Sequence, residues 1–209
     1  NSVLMISILS HVVEFRNSES GQHVLHIRTL TDLLLHQLVQ KTDRYQLDES
    51  DISLISTASA LHDIGKIMIP EEILNKPGRL TEEEYATIKT HTTEGARILK
   101  GLAIGQDEPL VKVAHAICRW HHERWDGGGY PDRLKGDEIP IAAQVVALAD
   151  VYDALTSERC YKQSYSHEKA VDMILHGECG SFNPLLMECL KESSELLRTE
   201  LQRSEYDRG

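Results

Sequence analysis

Histidine and aspartate adjoin at positions 62 and 63, at the end of an apolar helical segment and just before Ile64-Gly65-Lys66. A neutral imidazole and a carboxylate together suit borderline divalent metals such as iron, manganese or zinc. Neighbouring residues on a regular helix point about 100° apart, so both reach one ion most easily where the helix unwinds. Gly65 would supply the freedom for that break; a solvated helix end would use the same residue types. His121-His122, also at a helix end and followed by Glu123, places two imidazoles at the mouth of a glycine loop, as ligands or as wet surface. Asp150 and Asp153 stand three apart after the run Val145-Val146-Ala147-Leu148-Ala149, so both carboxylates share a face of the most apolar helix. Burying them unpaired is costly, and a metal or a positive partner is required. Glu19 and His23, four apart, also have ligand spacing, although a glutamate at a helix start is equally explained by the helix dipole. His91 has no partner one turn away and indicates nothing by itself. His11, His36, His115, His167 and His176 read as ordinary surface or core histidines.

Helices must position these groups, because nearly every segment carries apolar residues at helical spacing. Helices are expected over Ser2 to Phe15, Gln22 to Lys41, Asp51 to Leu61 and, after Pro70, Glu71 to Leu74. Thr81 and Glu84 have capping-box spacing and open a helix running past Ile88 towards Leu99. Further helices are expected over Asp107 to His121, from Ile141 through Leu155, after Ser166, and from Pro184 until the chain becomes charged near Gln202. Asp126-Gly127-Gly128-Gly129-Tyr130-Pro131 must be a loop. No period-two pattern and no repeat is present, so the expectation is an all-α single domain.

Composition narrows the function classes. The 209 residues are 41% hydrophobic and 26% charged, which is ordinary for a globular chain. A formal net charge of −11 argues against a polynucleotide binder, which needs a basic surface. No apolar run reaches the roughly 18 residues of a membrane span. The four cysteines, scattered and without a C-x-x-C pair, read as reduced thiols of a cytosolic protein. Eleven histidines against two phenylalanines make the chain a candidate metalloprotein. Its first residue, Asn1, and the absence of a signal-peptide pattern suggest an excised piece of a larger protein.

Taken together, these residues closely resemble the HD-GYP domain, a subclass of the HD metal-dependent phosphohydrolases. The matching elements are Glu19-Ser20-Gly21-Gln22-His23, His62-Asp63-Ile64-Gly65-Lys66, His91 with Gly95, and the stretch from His121 through Glu123 and Gly129-Tyr130 to Pro131. Ile139-Pro140, Ala149-Asp150-Val151-Tyr152-Asp153-Ala154 and Arg159-Cys160-Tyr161-Lys162 follow, with a weaker match at Gly180 to Pro184. The resemblance implies an all-α, HD-type helical bundle spanning residues 19–186, preceded by a linker helix over 1–18 and followed by a helix and tail over 187–209. It implies two or three divalent metal ions, iron above all or manganese, held by His23, His62, Asp63, His91, His121, His122 and Asp150, with Asp63 bridging two of them. Glu19 matches the extra carboxylate of members that take a third ion. Lys66 would touch the scissile phosphate or the attacking hydroxide; Gly129, Tyr130, Arg159 and Lys162 would line the nucleotide site. Three positions depart from the common pattern, His26, Thr92 and Gln144, and none is a ligand position.

The implied activity is hydrolysis of cyclic di-GMP in the bacterial cytoplasm, as the output of a protein with an upstream receiver or sensor domain, and with a second copy of the chain as a candidate partner. The chemistry is coherent: two metals roughly 3.5–4 Å apart activate water and neutralise phosphate oxygens. In so acidic a chain, Lys66, Arg159 and Lys162 would have to supply local positive charge. Asp153 or Glu123 would orient the second nitrogens of ligating histidines. The competing readings are a hydrolase of another nucleotide, such as mixed cyclic GMP-AMP, and a non-catalytic dinucleotide-binding or docking module.

Overall fold

The computed structural model describes residues 2–17, 22–102, 105, 107–157 and 164–206. Two helices form the centre. α2 (Gln22–Lys41) buries Ile27, Leu30, Leu34, Leu35 and Leu38 on one face. α8 (Ile141–Thr156) is apolar almost all round and buried accordingly, with Ala143, Ala147 and Ala149 letting its neighbours approach closely. α3 (Glu49–Ser59) packs on α2 and on α7 (Pro109–Trp120), and α7 also meets α6 (His91–Lys100) and α8. α9 (His167–Leu175) covers α8, while α10 (Pro184–Glu192) and α11 (Ser194–Tyr206) cover α2. α4 (Glu71–Leu74) and α5 (Glu82–Lys89) lie between α3 and α6 in the chain. Among the described residues the fold is entirely helical, and no helix is long and apolar enough to cross a membrane.

The capping signals work as expected. Thr81 and Glu84 form a reciprocal capping box at the start of α5, and Asp48 with Asp51 forms another at α3. Two expected helices are each broken in two. The helix foreseen from Thr81 to Leu99 ends at Lys89 and restarts at His91. At the joint, the hydroxyls of Thr90, Thr92 and Thr93 donate to the carbonyls of Thr87, Lys89 and Thr90, competing with the backbone ladder. The last helix likewise breaks at Ser193, whose buried hydroxyl donates to the Cys189 carbonyl.

Between α3 and α4 the chain tightens into a 3-10 helix over Ile64–Met68, with His62 and Asp63 at its entry. α1 (Ser2–Arg16) holds this turn from outside. Ser10 donates to the Ala60 carbonyl at 2.7 Å, and Arg16 donates to the carbonyls of Lys66, Ile67 and Ile69. Gly65 does serve the turn, but for a different reason from the one expected. A Cβ there would lie 1.8 Å from the His91 carbonyl oxygen and 2.5 Å from the Gly95 nitrogen. The turn bearing His62 and Asp63 thus lies directly against the start of α6, backbone to backbone. Gly65→Ala is therefore expected to force the two apart, lowering stability by about 1–3 kcal/mol or more, as overpacking does. Thermal denaturation against the unaltered chain measures it, and an unchanged melting temperature contradicts the contact.

Candidate metal centre

The helix ends converge. His23 comes from the first turn of α2, His62 and Asp63 from the turn after α3, and His91 from the start of α6. His121 and His122 follow α7, and Asp150 lies on α8. Two groups of three form, His23 with His62 and Asp150, and His91 with His121 and His122, each with its ligand atoms within 4.8 Å of one another. Asp63 lies between them. Its Oδ1 is 3.3 Å from His91 Nε2 and 3.6 Å from His121 Nε2, while its Oδ2 is 3.4 Å from His62 Nε2. Lys66 Nζ lies 2.7 Å from the same Oδ2. His91, unremarkable in sequence, is one of the buried members.

Hydrogen bonds decide which nitrogens face inward. Nδ1 of His62, His91 and His121 lies 2.7–3.0 Å from the carbonyls of Ser59, Ile88, and Ile117 with Cys118. A carbonyl can only accept, so each Nδ1 carries the proton, and in the neutral ring Nε2 is left as a lone pair. The carbonyls all belong to residues three or four earlier, in the last turns of α3, α5 and α7, and those of Ser59 and Ile117 also accept the backbone N–H of His62 and of His121, each through a second lone pair. His23 Nδ1 instead meets Asp153 Oδ2 at 2.5 Å. The Nε2 atoms of His91 and His121 are 3.3 Å apart, and those of His23 and His62 3.4 Å apart. Lone pairs opposed at that distance repel unless a proton or a metal ion stands between them. The donor set therefore fits metal ions, and its mixture of imidazole and carboxylate fits borderline divalent ones.

The electrostatics point the same way. Burial disfavours ionisation of Asp63, but Lys66 and His62 outweigh it and hold the carboxyl well below its usual range. Asp150 is depressed too, with His62 and His23 overcoming burial. Asp153 falls to about 2 because its hydrogen bonds from His23 and His26 outweigh burial. Burial, then the neighbouring imidazoles, lowers His121 and His122, favouring the neutral form that ligates metal. Around His23 and His62 the carboxylates win over burial and raise both, marking a place that demands positive charge.

Asp153 contacts His23 and also His26, at 2.8 Å. His26, which stood out in sequence only as a departure, is the second donor that satisfies this buried carboxylate; its position three residues after His23, on the same helix face, was the available signal. Glu123 corrects an expectation. Its two oxygens accept from the backbone amides of Asp132 (2.6 Å) and Leu134 (3.0 Å), so it ties down the loop and orients no ligand histidine. Gly129 is required because a Cβ would come within 2.5 Å of backbone atoms of His122, Glu123 and Arg124. That close fit lays the Tyr130 ring flat on His122, centroids 4.8 Å apart and planes 10° apart. Lys89 lies 5.4 Å from the Tyr130 centroid and 5.0 Å from that of Tyr85. Nothing local in the sequence joins Lys89 and Tyr85 to this wall. Glu19, Arg159 and Lys162 lie outside the described residues.

Comparison with known proteins agrees with this geometry. A profile described as the HD domain matches residues 5–181. The chain is 41% identical over 188 residues to a probable cyclic di-GMP phosphodiesterase of Vibrio cholerae, covering 88% of this chain and 42% of that protein. It is 40% identical over 184 residues to a 3'3'-cGAMP-specific phosphodiesterase of the same organism, covering 88% and 33%. A cyclic di-GMP phosphodiesterase of Thermotoga maritima is 37% identical over 204 residues, covering 97% and 52%. The chain thus spans about half or less of these relatives' lengths. Among solved structures, Bd1817 of Bdellovibrio bacteriovorus, described as an HDG"Y"P protein, aligns with a TM-score of 0.61 at 23% identity, over 84% of this chain and 51% of its own; at that identity the likeness speaks to the fold.

The contrast between the two carboxylates is testable. Asp153→Asn should weaken metal binding by roughly 10–100-fold, because His23 loses the acceptor that sets its tautomer. Glu123→Gln should leave metal affinity nearly unchanged but cost about 1–3 kcal/mol of stability, since one buried amide loses its acceptor. Metal titration and melting of both variants check this; the reverse pattern would return Glu123 to the metal centre.

Proposed function

Because the chain belongs to the HD-domain family, in its HD-GYP branch, we propose that it is a metal-dependent phosphodiesterase that opens cyclic di-GMP to linear pGpG, to GMP, or to both. The observation that carries this reading is the pair of three-residue groups joined by Asp63. His23, His62 and Asp150 would hold one ion, and His91, His121 and His122 a second, with one Asp63 oxygen turned to each. Iron, or manganese, suits this donor set, and Glu19 would complete a third site. When bound, the ions supply an activated nucleophile at neutral pH and neutralise phosphate oxygens.

The chain's own residues would do the rest. Lys66 holds a proton at Nζ beside Asp63 and would donate to the scissile phosphate or the attacking oxygen. Tyr130, braced on His122, would form a wall for the dinucleotide, and Gly129 lets the backbone bring it there. Arg159 would grip a phosphate or guanine edge as a fork and Lys162 would act as a point charge. We place the catalytic unit within residues 19–186, in the cytoplasm, as the output of a regulated signalling protein carrying a receiver or sensor domain.

Anaerobic purification, metal analysis and product chromatography test this with cyclic di-GMP and mixed cyclic GMP-AMP offered separately. Cyclic di-GMP should be the better substrate; a strong preference for the mixed dinucleotide would assign the chain to the other activity found among its relatives. Asp63→Ala should lose bound metal and abolish turnover, and a fully active variant would sink the reading. Glu19→Ala should lower metal content from about three to about two ions per chain. Arg159→Ala should raise KM about tenfold to a hundredfold, the worth of one charged hydrogen bond, with metal content unchanged.

A further inference from the structure

Helix α1 has two faces with opposite needs. Ile6, Ser10, Val13 and Glu14 are buried against the chain's own bundle. On the other side stand Met5, Ile8, Val12 and Phe15, exposed by 49% to 81%, with Leu4 and Leu9 flanking them. Their spacing of three, four and three is that of the a and d positions of a heptad, with Met5 and Val12 at a and Ile8 and Phe15 at d. In that register Ile6 and Val13 fall at b, Ser10 at f and Glu14 at c, so the seam and the bundle contact occupy opposite sides of one helix.

We infer that this seam pairs with α1 of a second copy of the chain. The periodicity singles out a helix as the occupant, because an apolar stripe repeating every 3.5 residues matches another stripe of the same repeat. The outward face also carries no Lys, Arg, Asp or Glu: the charged residues of α1 are Glu14, on the bundle side, and Arg16, engaged with the carbonyls of Lys66, Ile67 and Ile69. A helix lying on a lipid surface draws on flanking basic residues, which this face lacks. A contiguous patch of six large apolar side chains is of the ~300–600 Å² class that marks interaction sites. Two such patches face to face approach the ~1,000 Å² of a specific interface. Two heptads are too few for free peptides to pair well, but α1 is already held as a helix by Ser10 and Arg16, so pairing does not have to fold it.

Sedimentation equilibrium of the 209-residue chain, from micromolar to submillimolar concentration, should find a dimer. Ile8→Lys with Val12→Lys should weaken self-association about a hundredfold, since both lysines would face their counterparts across the seam. Both positions are exposed, so far-UV circular dichroism, melting temperature and phosphodiesterase activity per chain should be retained. Met5→Cys and Phe15→Cys chains, oxidised singly and mixed, should give a covalent dimer absent from the unaltered chain. Like-with-like linkage reads a parallel pair, and Met5-to-Phe15 linkage an antiparallel one. A chain that stays monomeric, a dimer indifferent to the two lysines, or a monomer that sediments with phosphatidylcholine–phosphatidylglycerol vesicles would each overturn the inference.

Discussion

Imidazole lone pairs aimed at one another are the constraint on which the rest of this structure depends. His91 against His121, and His23 against His62, oppose their Nε2 atoms at 3.3–3.4 Å beside three carboxylates. Such an arrangement calls for a proton or a metal ion between the rings, and the surrounding helices are placed so as to maintain it. The same orienting device recurs three times. A carbonyl in the last turn of a helix has a second lone pair to offer, and the imidazole three or four residues on turns its Nδ1–H back to it. The break at Thr90 belongs to this scheme. It puts Ile88 in the last turn of α5 and His91 at the start of α6, where its ring faces the centre.

Close backbone packing then sets how near the groups can come. Gly65 brings the His62–Asp63 turn onto α6, and Gly129 brings the tyrosine loop onto the His122 turn. In both places the glycine is there because a side chain would separate two segments that carry functional groups. Glu123 performs the complementary task, holding the far side of the same loop through two backbone amides. The loop is thereby tied at both ends, and Tyr130 keeps its place over His122, with Lys89 at the end of α5 beside its ring.

The charge distribution reconciles an acidic chain with an anionic ligand. With a net charge of −11, the protein repels phosphate at long range, and attraction must be built locally. Asp63, Asp150 and Asp153, all held ionised, concentrate negative charge where cations would be bound, while Lys66 and Lys89 stand at the edge. Carboxylates that look unfavourable to a phosphodiester in isolation are the groups that would hold the positive charge it meets.

By itself the sequence determined the helical class, most helix starts and the chemically unusual pairs from which the centre is built. Apolar periodicity, the Thr81–Glu84 box and Pro70 are local signals, and the His-Asp, His-His and Asp-x-x-Asp patterns are chemically unusual at helix ends and on an apolar face. Tertiary structure alone decided the rest. It chose His91, which has no local partner, made Asp63 the junction between two groups of ligands, and gave Asp153 its second donor in His26. It also withdrew Glu123 from the histidines and joined Lys89 to Tyr130. The division has a physical reason. Helix formation is settled by contacts within a few residues, whereas the direction of an imidazole lone pair depends on which carbonyl or carboxylate its other nitrogen meets and on which distant ring it then faces.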